Sequence, residues 1–312
     1  MDNTKQLLSI IVPCFNEEES IPLFYNEVAT TKNFFDSNNV ELEFLFVDDG
    51  SRDKTADVVK SLHEQDERVH LISFSRNFGK EAAIYAGLEK AKGDLVVLMD
   101  ADLQDPPSLL PKMFAEIKSG EYDIVATRRV DRKGEPPIRS WFARRFYAIM
   151  RKISTTDIVD GARDFRMMTR AVVNSILSMK EVNRFSKGIF GWVGYRTHWL
   201  EYENIQRAAG ETKWSFWKLF KYSIEGIMAF STMPLVLPVI VGIVFLIASL
   251  GLLIAAIAVG AAYGEWLFLA VLCSLAFFSG VILCFMGVLG MYIGKMYAEI
   301  KDRPKYLVRE EF

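Results

Sequence analysis

The chain has 312 residues, with 37 Lys and Arg against 39 Asp and Glu for a formal net charge of -2, which excludes a general polyanion or nucleic-acid binder while leaving room for charged segments. Apolar residues make up 51% of it, a share that suits a soluble core or a membrane protein, and the length allows one large domain plus a smaller module. Cys14, Cys273 and Cys284 are too irregularly spaced for a zinc motif or a disulfide framework, and His63, His70 and His198 are too dispersed for a histidine-built metal site, so any metal must be held by carboxylates.

Residues 1–6 lead into an apolar run ending at Pro13 without a small-residue cleavage pattern, so no secretory signal is expected and the bulk of the chain is placed in the cytosol. Short β-rich runs then recur at 8–12, 42–47, 69–74, 95–99 and 123–127. Between them, Ile21, Phe24 and Val28, and again Ala56, Val59 and Leu62, follow helical spacing. This alternation predicts an α/β fold with a mostly parallel sheet and crossover helices.

From 128 to 152 the chain turns basic: Arg128, Arg129, Arg132, Lys133, Arg139, Arg144, Arg145, Arg151 and Lys152 face only Asp131 and Glu135. Phe142, Phe146, Ile149, Met150 and Ile153 share that stretch at helical spacing. A basic amphipathic helix over 137–153, suited to a membrane surface, is the expectation; a solvated helix packing its aromatics into the domain is the alternative. A second interfacial helix is expected over 214–231, with Phe216, Phe220, Ile224 and Ile227 on one face.

No charge occurs in 235–262 or in 266–294, and each stretch exceeds the roughly 20 residues that cross a bilayer. They predict a two-helix transmembrane hairpin within 232–296, against the alternative of a buried core hairpin. The connection, 263–265, carries no Lys or Arg, whereas Lys213, Lys218 and Lys221 precede the hairpin and Lys295, Lys301, Arg303 and Lys305 follow it. That bias places both termini and the α/β domain in the cytoplasm of a multi-pass plasma-membrane protein. The domain division is then 1–213 for the α/β unit, the interfacial and membrane segments, and a cytoplasmic tail at 297–312.

Ligands of open α/β sheets bind beyond the carboxyl ends of the strands, where this chain carries Pro13-Cys14-Phe15-Asn16-Glu17, Asp48-Asp49-Gly50-Ser51 and Asp100-Ala101-Asp102-Leu103-Gln104. The glycine-rich dinucleotide fingerprint is absent after the first strand, which argues against a nicotinamide enzyme. Asp100 and Asp102 on extended backbone point to one side and repel unless a cation lies between them, and oxygen ligands suit Mg or Mn bridging nucleotide phosphates. The alternative is that Asp100 caps the next helix and Asp102 is solvated. At Asp48-Asp49-Gly50-Ser51 either a carboxylate accepts the uracil imide N–H beside the Phe15 ring, or the segment is a turn with Ser51 or Asp53 capping a helix from near Lys54.

Taken in order, these segments resemble family 2 glycosyltransferases with a GT-A, Rossmann-like fold. Ser75-Arg76-Asn77-Phe78-Gly79-Lys80, Gln104-Asp105-Pro106-Pro107 and Gly161-Ala162-Arg163-Asp164-Phe165-Arg166 are similar to the dolichol-phosphate mannose synthase-like branch, and two C-terminal spans narrow it to the bactoprenol glycosyltransferase type. The resemblance implies that Pro13, Phe15, Glu17, Asp48 and Asp49 serve the nucleoside, with Arg76 also among the donor-binding residues. It implies further that Asp100, Asp102 and Gln104 hold metal and diphosphate, that Arg207 and Lys213 meet the donor phosphates, and that Arg128 and Arg139 grip the acceptor phosphate. Asp164 is implied as catalytic, either as a general base or as a positioning residue.

The implied reaction is inverting transfer of one sugar, glucose or N-acetylglucosamine, from a UDP-sugar to polyprenyl phosphate, with the lipid bilayer as a partner and a homo-oligomer left open. A processive polysaccharide synthase would need more membrane helices and the Gln-x-x-Arg-Trp pattern, absent near Gln206-Arg207. A non-catalytic scaffold would be expected to have lost its strand-end acids.

Overall fold

The computed structural model describes residues 5–130, 159, 161–203, 234–236, 238, 240–245, 247, 248, 251 and 264–312. Strand and helix alternate through β1 (Gln6–Cys14), α1 (Ser20–Ala29), α2 (Lys32–Ser37), β2 (Val40–Asp48), α3 (Thr55–His63), β3 (Val69–Phe74), α4 (Lys80–Lys90) and β4 (Leu95–Leu98). After a short 3-10 turn at Pro107–Leu109 come α5 (Leu110–Lys118), β5 (Ile124–Arg129), β6 (Ala162–Thr169), α6 (Arg170–Ser178), α7 (Ser186–Trp192) and β7 (Thr197–Tyr202). A long α8 (Gly264–Ile300) and β8 (Val308–Glu311) close the chain.

The strands form one sheet in the order β7-β5-β6-β4-β1-β2-β3-β8. β1 pairs in parallel with β2 and β4, β2 with β3, and β5 with β7. Among the described strands only β6, between β4 and β5, and the edge strand β8 run antiparallel to their neighbours. The mostly parallel sheet expected from the alternating runs is present. Its central strands are apolar on both sides because side chains alternate across a sheet that is covered twice. Leu8, Ile10 and Val12 of β1 join Phe44 and Phe46 under α1, α2, α3 and α5. Ile11, Leu45 and Val47 face the other way, under α4, α6 and α7.

Two sequence expectations change at the C-terminus. The segment read as a tail, 297–312, contains the last turn of α8 and the eighth strand of the sheet. Leu71 and Phe312 exchange backbone hydrogen bonds of 3.0 and 3.1 Å, Ser75 N donates to Leu307 O at 2.9 Å, and the Tyr306 ring stacks on Phe74 at 4.9 Å. The boundary at 213 therefore leaves a strand of the catalytic sheet outside its domain. The sequence hides this because an edge strand is specified by backbone pairing and needs no apolar alternation of its own. In addition, Gly264 and Glu265, read as part of a connection, already belong to α8.

Within α8 the segment Phe277–Ile300, 24 residues, is long and apolar enough to cross a membrane and none of it is buried; at 1.5 Å per residue it spans about 36 Å, against a hydrocarbon core of about 30 Å. A shorter apolar helix at Pro234–Phe245 meets it where Phe245 packs edge-on against Phe277 and Phe278. The interfacial helices expected at 137–153 and 214–231, and much of the first expected span, lie outside the described residues.

Candidate active site

The loops after β1 and β2 are knitted together backbone to side chain. Asn16 N donates to Ser51 Oγ at 2.8 Å, Glu17 N to Thr55 Oγ1 at 2.8 Å, Arg52 N to Asn16 Oδ1 at 2.9 Å, and Lys54 N to Glu18 Oε2 at 2.9 Å. Asn16 takes a left-handed φ of 53°, a conformation that Asn tolerates better than most residues. Pro13 and Phe15 lie on the same stretch, so the residues expected around a nucleoside share one rigid rim. Glu17 caps its own turn by accepting Ser20 Oγ at 2.8 Å.

Asp48 and Asp49 are both buried, 3% and 4% exposed, and a buried carboxylate must be matched by donors. Asp48 accepts Ser51 N at 2.9 Å and Ser73 Oγ at 2.8 Å. Asp49 accepts the backbone N–H groups of Phe78 at 2.6 Å and Gly79 at 3.0 Å, and so fixes the turn that starts α4. Between them and the next loop, Gly50 has φ 67°, and a Cβ there would lie 2.4 Å from the Arg76 carbonyl carbon. Only glycine fits that approach, which holds Arg76 beside the Asp49 turn, its guanidinium 4.1 Å over the Phe78 ring. The helix expected from near Lys54 begins at Thr55, whose N–H and hydroxyl both donate to Asp53 Oδ1, at 3.1 and 2.6 Å, while Lys54 itself gives no side-chain cap.

Burial pushes the Asp49 carboxyl up to about 6, against the lowering effect of the Phe78 and Gly79 N–H groups. A folded-state value above the unfolded 3.8 means that the protonated form favours folding, and that this contribution is lost as pH rises toward 6. Asp49→Asn should therefore gain stability relative to the parent between pH 4 and 7, by on the order of 2 kcal/mol. Unfolding of both proteins in detergent at the two pH values checks this; a pH-independent difference would contradict it.

The fourth strand stops at Leu98, one residue short of the expected 95–99, although Met99 N still donates to Ile11 O at 3.0 Å. Asp100 lies just beyond the strand end and Asp102 in the turn that follows it, and Leu103 comes next with φ 55°. Asp102 is buried, 7% exposed, and its Oδ1 accepts Gln104 N at 3.2 Å, which excludes the solvated alternative. Asp100 caps no helix, since the following 3-10 turn begins only at Pro107.

Lys80, in the first turn of α4, carries the centre of the site. Its ammonium lies 2.7 Å and 2.9 Å from the two Asp100 oxygens and 2.6 Å from Asp164 Oδ2. Asp164 reaches this point because β6 runs antiparallel to β4 with Leu98 opposite Arg166, so the start of β6 meets the end of β4. Burial opposes the charge on Lys80, but Asp100 and Asp164 outweigh it and hold the ammonium pKa above its ordinary value. Burial likewise opposes the Asp164 carboxylate, and Lys80 with Lys187 outweighs it, keeping Asp164 below the usual carboxylate range. Arg166 is buried over the Phe190 ring at 3.6 Å and donates to the carbonyls of Arg163 and Asp164 at 2.7 and 3.3 Å, which stiffens the backbone carrying Asp164.

The other end of the same turn is held as firmly. Asp105, fully buried, accepts Arg163 Nε at 3.0 Å and the Tyr202 hydroxyl, while Arg129 Nη2 donates to Gln104 Oε1 at 3.0 Å. Arg128, expected at the acceptor phosphate, is half exposed and paired with Glu201, and its neighbour Arg129, given no role by the sequence, is the one that reaches Gln104. One step along a strand changes the face, so this difference is a matter of register. Arg139, Arg207 and Lys213 lie outside the described residues.

Among the described residues no group of three or more His, Cys, Asp or Glu could hold a metal ion. Asp100 and Asp102 therefore do not form a closed cage. The donor chemistry of these two carboxylates nevertheless fits a hard divalent cation that reserves its other positions for phosphate oxygens and water.

The family model for glycosyl transferase family 2 matches residues 9–177, which include every one of these loops. The chain belongs to glycosyltransferase family 2. It is similar to a prophage bactoprenol glucosyl transferase homolog of Escherichia coli (strain K12), 39% identical over 315 residues covering 97% of this chain and 98% of that one. A bactoprenol glucosyl transferase of Shigella phage SfV is also 39% identical, over 97% of this chain and 98% of its own length. Among solved structures, a mycobacterial protein at 16% identity covers 72% of this glycosyltransferase and 73% of that chain with a TM-score of 0.50, a likeness of fold.

Proposed function

We propose that this glycosyltransferase moves a single sugar, glucose before N-acetylglucosamine, from a UDP-sugar to a polyprenyl phosphate at the cytoplasmic membrane face. The observation that carries the reading is the pairing of Lys80 with Asp164 and with Asp100, two residues before Asp102 in the chain, at the carboxyl rim of a sheet whose last strand follows an exposed apolar helix. The names of the relatives favour glucose and bactoprenol. The apolar helices at Pro234–Phe245 and in α8, touching through Phe245, Phe277 and Phe278, support a membrane hairpin that keeps the rim near lipid headgroups.

The acceptor in this reading is a phosphate monoester with a second pKa near 6, already an anion at neutral pH. It needs little help from a base. Asp164 is poorly placed to be one, because its Oδ2 already holds an ammonium at 2.6 Å; its role is to orient. A divalent cation, Mg or Mn, bound by Asp100 and Asp102 would supply positive charge to the departing diphosphate. Gln104, held by Arg129, lines the same turn, and the rim at Pro13, Phe15 and Glu17 receives the nucleoside. Arg128 would have to leave Glu201 to grip the acceptor phosphate, which an exposed pair worth about 0–1 kcal/mol permits.

Purified membranes given a panel of labelled UDP-sugars and undecaprenyl phosphate test the reading. UDP-glucose should yield a lipid carrying one labelled sugar. Polymer, or no lipid product from any donor, would reject it.

A further inference from the structure

Lys80 has no part in the reading above beyond its contacts, yet it is the group on which the acids of the site converge. Its ammonium binds both oxygens of Asp100 and one of Asp164, with the side chain 37% exposed, Asp100 20% and Asp164 15%. An ammonium in that position occupies the carboxylate that a divalent cation would also use. It also neutralises Asp164, the one acid of the three that belongs to a different element.

The position is built. Gly79 precedes Lys80 with φ 101°, its N–H is tied to Asp49, and Glu81, next in the chain, accepts Ser186 N at 3.0 Å on α7. The first turn of α4, the backbone that carries Lys80, is thus fixed from both sides.

We infer that Lys80 is a positioning residue that acts as a built-in monovalent counter-ion: it keeps Asp164 out of the divalent-cation site and weakens cation binding at Asp100 until the donor diphosphate adds its own oxygens. The inference rests on the reading that Asp100 and Asp102 hold a divalent cation. Its physical basis is the opposition of like charges at close range: an ammonium on Asp100 repels a second cation there, and its loss frees both Asp100 oxygens and Asp164 Oδ2. The enzyme would then hold its metal loosely when empty and firmly only with the nucleotide sugar.

The test is direct Mn2+ binding by the full-length protein in zwitterionic nanodiscs, read by the electron paramagnetic resonance signal of free Mn2+, without and with UDP. Lys80→Met should lower the donor-free dissociation constant about tenfold and shrink the tightening that UDP brings. Lys80→Arg should stay near the parent. Should Lys80→Met not fold, the same comparison is made between Asp164→Asn and Lys80→Met/Asp164→Asn, where the second should again bind Mn2+ more tightly. Equal or weaker binding on loss of Lys80 would overturn the inference. Asp102→Asn is the control for the underlying reading: if it binds Mn2+ like the parent, the cation does not sit at Asp102 and the inference falls with it.

Discussion

Asp102→Asn is expected to lower sugar transfer by about three orders of magnitude, in line with the loss of a preorganised electrostatic contact at a departing anion. Asn matches Asp in size and keeps a carbonyl oxygen for Gln104 N, now 3.2 Å from Oδ1, so the turn and the buried surroundings are preserved. What disappears is a negative charge on one of two carboxylates, and a neutral amide is a much poorer ligand for a hard cation. Transfer in membranes, with protein amount and insertion checked in parallel, measures the effect. EDTA should likewise stop the parent enzyme, and Mg or Mn should restore it. Near-parental turnover of the variant, with the cation still required, would remove Asp102 from the ligand set.

Deletion of residues 306–312 is expected to cost about 3 kcal/mol or more, counting partial burial of two aromatic side chains at about 1.5–3 kcal/mol for each fully buried one. Tyr306 stacks on Phe74, and Phe312 lies 4.8 Å from His63 while its backbone pairs with Leu71. The deletion also exposes the open edge of β3, which invites association with other chains. Against a total stability of about 5–15 kcal/mol the loss is large. Helix α8 is tied to the same domain a few residues earlier, where Glu299 accepts Val182 N at 2.9 Å and Asn183 N at 2.9 Å. Unfolding of the full and shortened proteins in detergent, followed by circular dichroism, measures the change. Unaltered stability would mean that β8 adds nothing to the sheet. It follows that a truncation meant to remove only the membrane helices also removes a strand, and loss of nucleotide binding in such a protein does not by itself report on the bilayer.

Much of the molecule is legible in its residues alone. Strands β1 to β4 stood out because each is a β-rich run buried on both faces, and Phe24, Val28 and Val59 marked their covering helices by spacing alone. Asp48, Asp49, Asp100 and Asp102 drew attention because polar residues at the ends of apolar strands are where an open sheet binds its ligands. Their partners were another matter. Asp48 and Asp49 looked like ligands for a base, and in the fold their oxygens meet Ser51, Ser73, Phe78 and Gly79.

The sequence by itself determined the family, the alternation of strand and helix, the acids at the strand ends and the apolar C-terminal helix, all of which depend on residues close together in the chain. Only the tertiary structure decided that Lys80, Asp100 and Asp164 share one point, because that follows from an antiparallel strand slipped between β4 and β5 with Leu98 opposite Arg166. It alone decided that Arg129 and not Arg128 reaches Gln104, a choice set by which face of β5 each residue occupies. It decided, last, that residues 308–311 belong to the sheet, since strand pairing is made by backbone groups that every residue carries and no side-chain pattern announces.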